Sequence, residues 1–89
     1  MKVKMLVLFA RWCPKCNMMM PIVDEVEEYY GEKLQVLRID VEKEPEKMDE
    51  LGAEIVPTFI LYREEQEVSR MAGMLGEERV YERVEAAFK

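Results

Sequence analysis

Histidine is absent from this 89-residue chain, and cysteine occurs only twice. A zinc site within one copy is therefore out of reach. Cys13 and Cys16 are half of a tetrahedral set, and only a dimer could bring four thiolates together. Positive charge is scarce as well. Thirteen Lys and Arg face nineteen Asp and Glu, for a net charge of −6, which argues against a nucleic-acid partner. An acidic surface could guide basic partners, but solvated helix faces account for most of it. No apolar stretch reaches membrane-spanning length. Met5 to Ala10, behind Lys2 and Lys4, has the flavour of a signal peptide, yet it is too short and runs straight into Arg11. It reads instead as a buried strand, and a cytoplasmic location follows by default. Linkers, repeats and low-complexity segments are also lacking, so residues 1–89 are expected to form one domain, a monomer without a membrane partner.

What is present centres on Phe9-Ala10-Arg11-Trp12-Cys13-Pro14-Lys15-Cys16, which holds both cysteines and the only tryptophan. An apolar run precedes it and an amphipathic pattern follows, so a strand, a tight turn and a helix are expected, with the helix starting at Cys13. Two thiols at i and i+3 of a first helical turn can close a small, strained ring that forms and breaks readily. The helix N-terminus favours a thiolate at Cys13. Pro14 suits the first helical position, which needs no backbone donor. Lys15 adds a positive charge that lowers the Cys13 pKa further. Cys16, one turn deeper, is less accessible. Cys13 is thus the expected nucleophile and Cys16 the resolving thiol. A structural disulfide is the bland reading, but so short a loop constrains the unfolded chain little. Met18-Met19-Met20 could be read as soft copper ligands. Adaptable packing is the better account, with one Met left exposed to touch substrate.

The remaining elements follow from periodicity. Residues 2–9 read as a central strand and residues 14–30 as a helix, with Met19, Ile22, Val23, Val26 and Tyr30 inward and Pro21 predicting a kink. Gly31 caps that helix. Residues 34–40 form a strand parallel to the first, with Asp40 serving the turn after it. Glu44 to Leu51 reads as a short helix with Met48 and Leu51 inward. Ile55 to Tyr62 reads as a strand entered through Pro57, whose peptide bond can be cis. A charged turn, Arg63 to Gln66, leads to a strand from Glu67 to Ala72, making a hairpin. A last helix follows Gly76, with Val80, Val84, Ala87 and Phe88 inward. The order is β-α-β-α-β-β-α, an α/β fold with a four-stranded mixed sheet and helices on both faces.

Trp12-Cys13-Pro14-Lys15-Cys16, Pro21, Val36 to Asp40, Ile55-Val56-Pro57-Thr58 and Gly73, in this order and spacing, make the chain similar to the thioredoxin superfamily over nearly its whole length. The resemblance implies a minimal thioredoxin fold, without the strand and helix that full thioredoxins carry before the active-site strand. It implies a cis-proline at Pro57 beside the active disulfide, and a Val56 backbone that pairs with an extended substrate segment. Trp12, Pro14 and the Ala72-Gly73 bend would complete the docking surface. The sequence departs from the family at Val7, where thioredoxins usually carry a buried carboxylate. It departs again at Pro14-Lys15, where Gly-Pro is usual. The second departure predicts a potential less negative than about −270 mV.

The expected activity is reduction of protein disulfides by Cys13 and Cys16, with no bound cofactor beyond the redox-active disulfide. Electrons would come from a thioredoxin reductase or a small thiol. A glutathione-dependent, glutaredoxin-like enzyme is the first alternative, although Glu77-Glu78 would repel glutathione's carboxylates. A non-enzymatic module that holds a metal or a partner is the second.

Overall fold

The computed structural model describes residues 2–89. Seven elements follow in chain order: β1 (Val3–Phe9), α1 (Pro14–Tyr30), β2 (Leu34–Asp40), α2 (Glu46–Glu50), β3 (Thr58–Arg63), β4 (Gln66–Ala72) and α3 (Glu77–Ala87). The sheet order is β2-β1-β3-β4. β1 runs parallel to β2, with Val3 opposite Leu34 and Phe9 opposite Asp40. β1 and β3 are antiparallel, as are β3 and β4. β1 and β3 are therefore the two inner strands, and the near-continuous apolar sequence of β1 suits burial on two faces.

Alternation along the strands sorts the core. Val3, Met5 and Val7 of β1 point to one face, with Phe59, Leu61 and Met71 from the hairpin. On this face α1 lays down Met19, Val23, Val26 and Tyr30, and α3 lays down Val80, Val84 and Ala87. Each buried Val, Leu, Phe or Met of this set contributes roughly 1.5–3 kcal/mol by leaving water. Leu8 and Ile60 point to the opposite face and are also fully buried. α2 and its flanking segments lie on that side, where the Gly52 carbonyl accepts a bond from Arg70, the strand partner of Ile60.

α1 runs unbroken through Pro21. It ends at Gly31, whose φ of +58° takes the chain into the left-handed region while its N–H still bonds to Glu27 O. The methionine run divides by depth. Met19 is fully buried, Met20 packs against the core and Met18 is exposed, so the packing account holds for two of the three.

Two boundaries differ from the periodic reading. The strand expected from Ile55 begins only at Thr58. Pro57 has no N–H to give a ladder, and Ile55 stands half out of the protein. The helix expected over Glu44 to Leu51 shrinks to five residues, because the Asp40 carbonyl takes the N–H groups of Lys43 and Glu44 into a turn. Met48 and Leu51 are half-buried there rather than part of the core.

The β3–β4 turn places Glu64 and Glu65 at φ of +52° and +71°, a conformation that suits Asn or Gly far better than glutamate. The turn is tied to the start of β1. Lys2 N–H donates to Glu64 Oε1 at 2.8 Å, and Glu64 N–H donates to the Lys2 carbonyl at 3.1 Å. Lys4 Nζ sits 3.4 Å from Glu65 Oε1, a solvent-exposed pair that contributes little. Glu65→Gly should therefore raise the unfolding free energy by about 0.5–1 kcal/mol in urea denaturation. An unchanged or lower midpoint would show that the Glu65 contacts outweigh the backbone strain.

Candidate active site

The site is built where β1 ends and α1 begins. Ala10 O accepts the Cys13 N–H at 3.2 Å and closes the turn through Arg11 and Trp12. Asn17 Nδ2 donates to the Arg11 carbonyl at 3.3 Å and braces it from within the helix. Arg11 Nε lies 3.5 Å from Asp40 Oδ2, while Asp40 Oδ1 accepts the Glu42 N–H. Asp40 thus serves both its own turn and the one before the cysteines. Asn17 escaped the sequence reading. A polar residue directly after the Cys-x-x-Cys pair, in the first turn of an otherwise apolar helix, was the available signal.

Cys13 is the N-cap of α1. Its carbonyl accepts the Asn17 N–H at 3.1 Å, and its sulfur accepts the Cys16 N–H at 3.3 Å. The sulfur occupies the place of a capping oxygen, with Pro14 at the first position of the helix, and so faces the positive end of the peptide dipoles. As a thiol, Cys13 donates from Sγ toward the Val56 carbonyl at 3.7 Å. Both cysteines are free, and both lie beneath the surface, Cys13 at 5% exposure and Cys16 at 1%. They share a small apolar cluster with Ala10, Phe9, Val41 and Val56.

Their acidities are driven apart. The hydrogen bond from the Cys16 side chain lowers the Cys13 pKa most. Backbone N–H groups of Cys16 and Lys15 add to this against the opposing effect of burial, and the Lys15 charge is the smallest contributor. Cys16 is pushed up to about 11, first by burial and then by its hydrogen bond to Cys13. Proximity of Lys15 thus acts in the expected direction, but the helix end and the partner thiol do most of the work. Val7, where an acid stands in the family pattern, is buried among the core side chains. Thr58 is the buried polar residue among the described residues, and its Oγ1 donates to Ile55 O at 2.6 Å. The charge balance of the site is therefore set by the two sulfurs and the backbone around them.

The hairpin brings up the other half of the site. The Val56–Pro57 peptide bond is cis and Pro57 is buried. Gly73 N–H donates to the Pro57 carbonyl at 2.9 Å, which holds the Ala72-Gly73 bend beside it. Gly73 has a φ of +82° with open space where a side chain would start, so its conformation excludes other residues while its position leaves room for a visitor. A shallow groove of about 660 Å³ runs over Cys13, flanked by Trp12, Lys15, Met48, Ile55 and Val56. Trp12 is 66% exposed and Ile55 52%. Trp12, Pro14, Lys15 and Val56 thus lie together around Cys13, and Gly73 joins them through Pro57. Met48 and Ile55 are additions. They read as core residues while their segments were assigned to regular elements.

Comparison with known proteins agrees with this geometry. The family model described as Thioredoxin matches residues 1–86. Thioredoxin Y1, chloroplastic, of Arabidopsis thaliana is 37% identical over 81 residues, which is 91% of this chain and 47% of that protein. The chain thus spans about half the length of that relative. A thioredoxin of Listeria monocytogenes is 30% identical over 83% of the chain and 72% of its own length. Among solved structures, a point mutant of thioredoxin from Halobacterium salinarum NRC-1 superposes with a TM-score of 0.89 at 25% identity, covering 99% of this chain and 76% of that one. The fold, the paired cysteines at a helix start and the family match converge: this chain belongs to the thioredoxin family.

Proposed function

We propose that the protein reduces disulfide bonds in other proteins by dithiol–disulfide exchange, acting as a cytoplasmic monomer. The observation that carries this reading is the opposed acidity of two sulfurs that share one hydrogen-bonded helix end. The family match supports the reaction class. Cys13 thiolate attacks one sulfur of a substrate disulfide. A Cys13–substrate bond forms, the substrate S–S bond breaks, and the first departing thiolate takes a proton from solvent. That step consumes the sulfur whose hydrogen bond and charge had held the Cys16 proton. Burial alone then opposes ionisation of Cys16, and the departing substrate thiolate or water accepts its proton in place of a buried acid. Cys16 attacks Cys13 Sγ, the mixed disulfide breaks, and the second substrate thiol leaves. Two electrons and two protons pass to the substrate, and the protein keeps a Cys13–Cys16 disulfide.

Substrate docks as an extended segment along Val56, over Trp12 and Ile55, with the Ala72-Gly73 bend on its far side. A thioredoxin reductase or a small thiol returns the electrons, and no further cofactor takes part. Pro14-Lys15 between the cysteines places the potential above that of a typical thioredoxin.

Three measurements test this reading. Cys16→Ser should accumulate mixed disulfides on Cys13 with a model protein disulfide, and Cys13→Ser almost none. Equal trapping on both would remove the assignment of nucleophile. The alkylation rate of reduced protein should rise in two steps with pH. A depressed pKa makes thiolate available at lower pH, so the Cys13 step falls below the free-thiol range and the Cys16 step falls near 11. Lys15→Gln should move the first midpoint up by no more than about half a pH unit, as expected of an exposed charge. A single step at the ordinary thiol pKa would overturn the helix-end argument. Equilibration in defined thiol buffers, read by Trp12 fluorescence, should give a potential less negative than about −270 mV. A more negative value would mean that Pro14-Lys15 does not favour the dithiol.

A further inference from the structure

The far end of α1 carries a second groove, unrelated to the cysteines. Tyr29 lies 16 residues beyond Cys13 along α1, about 24 Å at 1.5 Å per residue, in a molecule whose longest extent is 32 Å. A groove of about 630 Å³ opens there between α1 and α3, with Tyr29, Tyr30 and Tyr81 as its aromatic lining and Glu78, Glu82 and Glu85 along its wall. The rings meet edge to face, Tyr29 with Tyr30 at 5.0 Å and Tyr29 with Tyr81 at 5.5 Å between centroids. Tyr30 also stacks on Phe88, which anchors the assembly to the core. The hydroxyls of Tyr30 and Tyr81 are spent on Glu85 and Glu25, at 3.0 and 3.1 Å, so both rings are fixed. Tyr29 is left 71% exposed, the most open of the large apolar side chains among the described residues.

The charges around these rings are mostly negative: Glu77, Glu78, Glu82 and Glu85 line the groove against one cation, Lys89 at its edge. Among the described residues, Glu82 has an ion-pair partner, Arg79 at a loose 3.9 Å, and none of Glu25, Glu77, Glu78 and Glu85 forms one. The nearby Glu25 carboxyl raises the pKa of Glu77, as like groups in proximity do. Solvated acidic helix faces do not need rings between them. Here the rings of Tyr29 and Tyr81, whose quadrupoles attract cations, share one groove with four carboxylates. The occupant is thereby defined by charge complementarity. It carries a flat or compact cation on an apolar stem, as arginine and lysine do.

We propose that this tyrosine–glutamate groove docks an arginine- or lysine-bearing segment of a protein partner. The groove and Cys13 lie on opposite ends of one helix, so occupancy leaves the redox site free. A single extended segment reaching both sites would need about seven residues or more between them. A basic partner held by the groove would therefore present any disulfide of its own at raised local concentration. The docking itself does not depend on the redox reading and is tested apart from it.

The test uses a cysteine-free, capped hexapeptide of alternating arginine and alanine, titrated into the full chain and followed by amide chemical shifts at about 0.15 M salt. Saturable shifts at Tyr29, Tyr81 and Glu82, absent at Trp12 and Ile55, are expected. Tyr29→Ala should weaken binding about fivefold or more, and Glu78→Gln with Glu82→Gln should do so by a similar factor, with disulfide reductase activity unchanged in both. Glu42→Gln with Glu44→Gln, in the turn after β2 and outside the groove lining, should leave affinity as it was. The proposal falls if the shifts map to the Cys13 groove, if all glutamate variants weaken binding alike while Tyr29→Ala does not, or if no binding is seen. It falls also if tetramethylammonium binds as tightly as the peptide, which makes the site one for a small cation. Self-association abolished by Glu78→Gln with Glu82→Gln would make a second copy of the chain the occupant, and would overturn it too.

Discussion

A helix must satisfy the N–H groups of its first turn, and here a sulfur does part of that task. The Cys16 N–H bonds to Cys13 Sγ at 3.3 Å. This one contact caps α1, holds the two cysteines side by side and joins the groups that decide which of them ionises. The remainder of the site can be understood as support for it. Ala10 and Asn17 fix the turn that feeds the cap. The α1 side chains Met19, Val23 and Val26 fix the helix against β1. The hairpin delivers the Val56 carbonyl to the other side of the same sulfur.

The asymmetry between the cysteines needs no buried acid. Burial of Cys16 and a hydrogen bond to its neighbour suffice to hold its proton, while that same hydrogen bond, followed by the backbone N–H groups, lowers the pKa of Cys13. Val7 behind them then does for packing what a carboxylate would do for proton traffic. The site is simpler and more apolar for it. One side of it faces the groove, and the other is the small buried cluster of Ala10 and Cys16.

The strands, the long helix and the order of elements were legible because their apolar residues recur at the spacing each element requires. Cys13 and Cys16 were legible because two thiols at i and i+3 before a helix have few other uses. Less could be read where local periodicity competes with long-range bonding. Ile55 continues an apolar run, yet Pro57 forbids the ladder and turns it outward. Glu44 has good helix propensity, yet the Asp40 carbonyl holds it in a turn. Asn17 and the Tyr29–Tyr81 contact depend on partners that sequence spacing does not name, across turns and between helices far apart in the chain. The aromatic groove was invisible for the same reason. Tyr29 and Tyr81 each look like an amphipathic side chain on its own helix.

Cys13 Sγ and Val56 O lie 43 residues apart in the chain, and the dipoles that acidify the thiol exist only while α1 is formed. The reactivity of the sulfur is therefore a property of the folded chain and not of its sequence. A copy that is unfolded, whether newly made or damaged, carries two ordinary thiols, mostly protonated near neutral pH. Such a copy is chemically quiet. The chemistry of this sulfur is thus armed by the chain's own folding and disarmed by its failure to fold.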